Sequence, residues 1–315
     1  MVKRAMKILS AMTAATGLTI MLTAPAMASD PKAATYVGAY ANPWATGNST
    51  IGPLQSTRLF YVTLPTSITT SPGNGETACT TANVPISVVC VISYKTMDTN
   101  LAAFIASIPS NRHVVLIWHH EPENDTFSGP GTNGQNFVSD FETESNAIRA
   151  DAAADSLPDV KVAMAAEAYQ YQAGTKFDNG IGCSFIPPDQ YVDFYFVDIY
   201  DPTPNGKSLP DSPVGNQWSA WLSCVTAANN ANPHPRKAEG IAEYGLGSSG
   251  SSAENATREQ TLVADDAYLK ASFTNFYLWE YWWNDPTTGN ACAPNLCQFT
   301  DQATITEWQE IEAGN

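Results

Sequence analysis

The run Val114-Val115-Leu116-Ile117-Trp118 constrains the fold more than any other part of the chain. Five consecutive apolar, β-favouring residues leave no polar face. The run therefore predicts a strand buried on both sides, as in a parallel α/β sheet. It opens at once into His119-His120-Glu121-Pro122-Glu123-Asn124-Asp125, where Pro122 stops the strand. A buried strand that ends in ionisable groups points to chemistry at its C-terminal end, where parallel sheets and barrels carry their sites. The alternative is a solvated acidic loop after an ordinary strand.

Seven further apolar runs, at 35–40, 58–64, 85–94, 160–167, 192–200, 238–244 and 275–282, bring the expected strands to eight. Between the later ones lie segments with helical spacing, at 99–108, 134–154, 217–231 and 252–271, and 301–311 closes the chain. Alternating strands and helices select an α/β fold, and eight strands are what a single closed (β/α)8 TIM barrel needs. The gaps after the first two strands carry Pro, Gly, Ser and Thr, as in Thr70-Ser71-Pro72-Gly73-Asn74-Gly75. They read as loops, so the barrel is expected to be irregular there. No repeat or linker splits off a second domain.

At the N-terminus, Lys3, Arg4 and Lys7 precede an apolar stretch, and Ala26-Met27-Ala28 forms a small-x-small cleavage pattern. Residues 1–28 read as a secretory signal peptide and 29–315 as one exported, extracellular barrel domain. The six cysteines then read as disulfides, paired in sequence order as Cys79–Cys90, Cys183–Cys224 and Cys292–Cys297. Six cysteines allow fifteen connectivities, so order alone does not fix the pairing. A formal charge of −16 argues against nucleic acid and anionic membranes as partners. Eight Trp and thirteen Tyr suit stacking on uncharged sugar rings, so the expected partner of this monomer is a polysaccharide or oligosaccharide.

The seventh strand ends Gly240-Ile241-Ala242-Glu243-Tyr244-Gly245. A glutamate at the end of an apolar strand must be used or paired, and a salt bridge inside the barrel mouth is the non-catalytic reading. Strands four and seven of a closed barrel face each other across one mouth, so Glu121 and Glu243 can flank a bound sugar. Retaining glycoside hydrolysis needs one carboxyl as acid/base and one as nucleophile, about 5–5.5 Å apart; a wider gap means inversion. Glu123 and Asp125 are expected to keep Glu121 protonated, while Glu243, with no acidic sequence neighbour before Glu254, is expected to stay ionised. Adjacent histidines on a strand point to opposite faces, so His119 and His120 do not suit one ion, and neither metal nor cofactor is expected. Trp282 and Trp283 can line sugar subsites or plug the rim, and Lys95 can touch sugar hydroxyls or pair with a carboxylate.

His120-Glu121 and Ile241-Ala242-Glu243-Tyr244-Gly245 resemble glycoside hydrolase family 26, best known for endo-β-1,4-mannanases. The resemblance implies Glu121 as acid/base and Glu243 as nucleophile, with His120 beside the acid. Asp198-Ile199-Tyr200 is similar to the family's Asp-x-Tyr segment, which implies Tyr200 as hydrogen-bond partner of the nucleophile and Asp198 as a substrate-binding residue. Trp279 resembles the tryptophan that floors the sugar site. After His-Glu the family's mannanases carry Met-Asn-Gly, where this chain has Pro122-Glu123-Asn124. What the resemblance implies is therefore a secreted retaining endo-β-glycosidase, mannan-type or related. Its rivals are a non-catalytic carbohydrate-binding barrel and a structural surface protein.

Overall fold

A computed structural model describes residues 36–42, 44–73, 78–97, 99–124, 134–175, 182–231, 235–248, 250–284 and 301–314. The apolar runs form eight strands: β1 (Tyr36–Asn42), β2 (Ser56–Tyr61), β3 (Val89–Tyr94), β4 (Val114–Trp118), β5 (Val160–Glu167), β6 (Phe194–Asp201), β7 (Ala238–Leu246) and β8 (Phe276–Asn284). They pair in sequence order, all parallel, and β8 returns to β1 to close the barrel. Around it lie α1 (Trp44–Ile51), α2 (Leu101–Ala106), α3 (Gln135–Ala154), α4 (Gly215–Asn230), α5 (Ser252–Ser272) and α6 (Gln302–Gly314). The expected (β/α)8 TIM barrel is the fold.

The period-two alternation of the strands builds two cores. The inner one holds Val89, Val91, Val115, Ile117, Ala163, Ala165, Phe196, Ala242 and Leu278. The outer one, between sheet and helices, takes the large aromatics Trp218, Trp221, Trp279 and Trp308. Both faces of β4 are buried, and all five of its residues are inaccessible, as its unbroken apolar run requires. Removing side chains such as Val115 and Ile117 from water contributes about 1.5–3 kcal/mol each.

The irregular side differs in part from the expectation. The segment after β1 is helical, although Thr, Gly, Asn and Ser make α1 a poor helix former by itself. Tertiary contacts hold it: Gln309 of α6 donates to the Thr50 carbonyl at 3.2 Å. Between β2 and β3 no α-helix occurs among the described residues, as expected. Cys79–Cys90 anchors that connection to β3, and Cys183–Cys224 ties the turn at Gly182–Phe185 to α4. The expected Cys292–Cys297 pair lies outside the described residues. Among those described, no helix is long and apolar enough to cross a membrane.

Candidate active site

Above the apolar inner core, the next inward positions of the strands are charged. Arg58 from β2, Asp198 from β6, Glu243 from β7 and Glu280 from β8 are all buried. Arg58 Nη1 lies 3.1 Å from Asp198 Oδ1 and 3.0 Å from Glu243 Oε1, and its Nε donates to Ser93 Oγ at 3.2 Å. A register irregularity between Ile241 and Tyr244 turns Glu243 inward beside the equally inward Ala242. The Tyr200 hydroxyl donates to Glu243 Oε2, the bond that the family resemblance implied.

Glu121 reaches the same point from β4 by an unusual backbone path. His119 and Glu121 both adopt left-handed conformations, each with φ 51°. Such a conformation is costly for a non-glycine residue and is kept where the surroundings over-determine it. The His119 N–H donates to the Tyr94 carbonyl of β3 and the Glu121 N–H to the Ala165 carbonyl of β5. These bonds fold the segment across the barrel rim. One oxygen from each of Glu121, Asp198 and Glu243 lies within 4.8 Å of the others. The guanidinium of Arg58 already sits among these oxygens, so a metal ion would meet a fixed cation there.

Burial, then Asp198 and Glu167, push the Glu121 carboxyl up to about 8, so it is protonated at neutral pH. The state matches the expectation, but its largest causes are burial and carboxylates brought in from β6 and β5. Glu123 is fully buried and accepts from the Tyr171 hydroxyl at 2.8 Å, and Asp125 lies outside the described residues. Glu243 departs from the expectation of an ordinary ionised carboxylate. Burial and then Asp198 push it well above the usual range, against the pull of Arg58 and Tyr200. Asp198 is itself raised to about 6, chiefly by burial. One guanidinium thus serves two desolvated carboxylates that titrate together.

Trp279 and Trp282 lie on opposite faces of β8. Trp279 is fully buried on the helix-facing side, edge-on to Tyr244 and Trp308, and does not floor a sugar site. Trp282 is the half-buried tryptophan at the mouth, edge-on to Phe60 at 5.3 Å. Phe60 also packs edge-on to His120 at 4.9 Å and lies 4.7 Å from the Arg58 guanidinium. Asp198, expected to bind substrate, is fully inaccessible and holds Arg58 instead. His120 keeps a neutral ring, because burial, Arg58, Lys95 and His119 hold its proton affinity well below the ordinary value. Lys95 donates to the His120 carbonyl at 2.7 Å, and His119 turns away to the Lys95 carbonyl and Phe137.

Arg58, Phe60, Asn124 and Glu280 carry no role in the sequence reading, yet all four stand in or under the site. A charged residue inside an apolar strand was the available signal for Arg58 and Glu280. Burial raises Glu280 to about 8 against the pull of Arg58. The folded chain therefore binds protons at Glu121, Asp198 and Glu280 more tightly than the unfolded chain does. The stability they confer is complete below about pH 4 and is lost as pH rises through about 8. The thermal midpoint is expected to fall by more than about 5 °C between pH 5 and pH 9. A flat profile in calorimetry would contradict this electrostatic picture.

No protein-family model matches the sequence, and no curated protein matches it. Solved structures do. An endo-β-1,4-mannanase double mutant from Cellulomonas fimi superposes with a TM-score of 0.53 at 14% identity, over 90% of this chain and 75% of that one. GH26C from Muricauda sp. MAR_2010_75 gives 0.53 at 12% identity, over 89% and 85%. A GH128 (subgroup II) endo-β-1,3-glucanase from Sorangium cellulosum gives 0.50 at 15% identity, over 87% and 99%. At these identities the likeness is one of fold.

Proposed function

We propose that the chain is a retaining β-glycosidase that cuts a polysaccharide internally. The reading includes secretion behind a leader at 1–28, action as a monomer, and no need for a metal or cofactor. The observation that carries it is the approach of Glu121 and Glu243 oxygens to within 4.8 Å at one end of the barrel. That approach supports the close carboxyl pair of a retaining enzyme over the wider pair of an inverting one. In the first step Glu121 gives its proton to the glycosidic oxygen, which leaves with the electron pair of the broken C–O bond. A Glu243 oxygen bonds the sugar carbon. In the second step water attacks that carbon, Glu121 takes the proton of the water, and Glu243 is released. Only the form with Glu121 protonated and Glu243 ionised reacts, so any proton on Glu243 must have gone to solvent before the attack; Arg58 Nη1 and the Tyr200 hydroxyl favour that carboxylate. Phe60, His120 and Trp282 form an aromatic wall for the sugar face.

The pairing of Glu243 with the buried Arg58 favours a second reading, a carbohydrate-binding barrel without turnover. A mechanism-based fluorosugar separates the two. Labelling of Glu243, with a first product of retained anomeric configuration by NMR, supports the enzyme. Tight oligosaccharide binding with no label and no product over days supports the binder. The names of the structural neighbours put mannan and β-1,3-glucan first among polymers to screen, with xylan and mixed-linkage glucan after them. On the polymer that is cut, Glu121→Gln is expected to slow turnover by about 10²–10⁴-fold. An activated aryl glycoside, whose leaving group needs no proton, should form the glycosyl-enzyme nearly as fast as with the unaltered chain. Equal loss on both substrates would remove Glu121 from the acid role.

A further inference from the structure

We propose that Asn124 and Gln170 form a positioning relay that holds the Glu121 carboxyl and takes up its negative charge once its proton has left. The proposal rests on the reading of Glu121 as acid/base. Asn124 ends the single turn Pro122–Asn124, and its N–H donates back to the Glu121 carbonyl at 3.0 Å. This closure brings the Asn124 amide over the ends of β4 and β5. There Nδ2 donates to Glu167 Oε2 at 2.6 Å and approaches Glu121 Oε2 at 3.5 Å. The amide of Gln170, in the turn after β5, donates to Asn124 Oδ1 at 2.8 Å.

The chemistry of the two amides fixes the direction of the relay. Gln170 Nε2 can only donate, so it commits the carbonyl end of Asn124 and leaves the NH2 end facing the carboxylates. That NH2 group has two hydrogens for two acceptors. The bond to Glu167 is short, and the approach to Glu121 is long. When Glu121 passes that proton to a leaving oxygen it becomes a full acceptor, and the second N–H is already in place to bond it more strongly. An interaction that strengthens only as charge develops lowers the barrier without holding the ground state.

Glu121 also faces Arg58 from β2, Lys95 after β3, Glu167 from β5, Asp198 and Tyr200 from β6, and Glu243 from β7. Both variants, Asn124→Ala and Gln170→Ala, leave these side chains in place; Asn124→Ala also removes the donor to Glu167, whereas Gln170→Ala removes only the bond to Asn124. Asn124 is exposed and Gln170 half-buried, so both variants are expected to keep the wild-type melting temperature. Loss of a donor to the ionised carboxyl makes Glu121 hold its proton more tightly. The alkaline limb of kcat/KM should move up by about half to one pH unit in Asn124→Ala, from one hydrogen bond's net strength. It should move by less, in the same direction, in Gln170→Ala. At the optimum, kcat on a substrate with a poor leaving group should fall about 3- to 10-fold. NMR titration of the 13C-labelled Glu121 carboxyl in the full chain without substrate gives a readout independent of turnover. An upward shift of its midpoint in both variants supports the relay; unchanged or lowered midpoints overturn it. An inactive wild type, or a fully active Glu121→Gln, would instead defeat the hydrolase reading and leave the titration to decide the relay.

Discussion

Glu243→Gln is expected to reduce turnover by at least about 10⁴-fold, the scale of removing a covalent nucleophile. The glutamine is isosteric, keeps an oxygen for the Tyr200 hydroxyl, and leaves Arg58 paired with Asp198. What it lacks is the ability to bond the sugar carbon as an anion. Because burial holds Glu243 far above the ordinary carboxylate range, removing its charge should not destabilise the fold at neutral pH. A catalytic loss with an unchanged thermal midpoint therefore identifies a nucleophile. Unchanged activity removes the two-carboxylate mechanism, and unfolding marks Glu243 as a structural partner of Arg58. Small nucleophiles such as azide provide the complement in Glu243→Ala. They should restore cleavage of an activated glycoside and give a product of inverted configuration, since the displacement then occurs once.

The sequence shows those parts of this molecule that depend on local pattern. An unbroken apolar run identifies β4, and one interrupted only by Lys161 identifies β5, because a strand covered on both faces has little other composition available. Glu121 and Glu243 stand out because each follows such a run. What the sequence hides is the result of closing the sheet. Arg58 and Asp198 are 140 residues apart and meet only because β2 and β6 face one interior. The acidic neighbours that raise Glu121 likewise come from β5 and β6, and Glu123, two residues away, turns into a buried pocket against Tyr171. Trp279 and Trp282 differ by three positions, and an odd difference on a strand puts them on opposite faces. Assigning the sugar floor to Trp279 required the inward parity of β8, which Glu280 reveals only once its contact with Arg58 is known. The helix α1 has no local signature because tertiary contacts hold it, among them the bond from Gln309 at the other end of the chain.

The buried guanidinium is the point on which stability and chemistry meet. Arg58→Met removes the one cation between Asp198 and Glu243 while preserving most of the side-chain volume. Breaking a buried pair from one side costs about 3–5 kcal/mol, because the remaining charge has no partner. Here Asp198 loses its partner charge, Glu243 loses a hydrogen-bond donor, and Ser93 loses the donor that reaches its hydroxyl. The variant can escape part of the cost by protonating both groups, so its penalty must depend on pH. At pH 4 both carboxyls are already neutral in the folded chain, so the missing cation removes a desolvation cost instead of an attraction. Urea unfolding should accordingly find Arg58→Met close to wild type at pH 4 and less stable by about 3–5 kcal/mol at pH 8. A penalty of equal size at both pH values would mean that Arg58 acts by packing against Phe60 alone. Activity should fall as well, because without Arg58 Glu243 holds its proton still more tightly and its ionised fraction shrinks further. That loss should ease as pH rises, over the range in which Glu121 still keeps its own proton, whereas a purely structural defect would deepen with the falling stability.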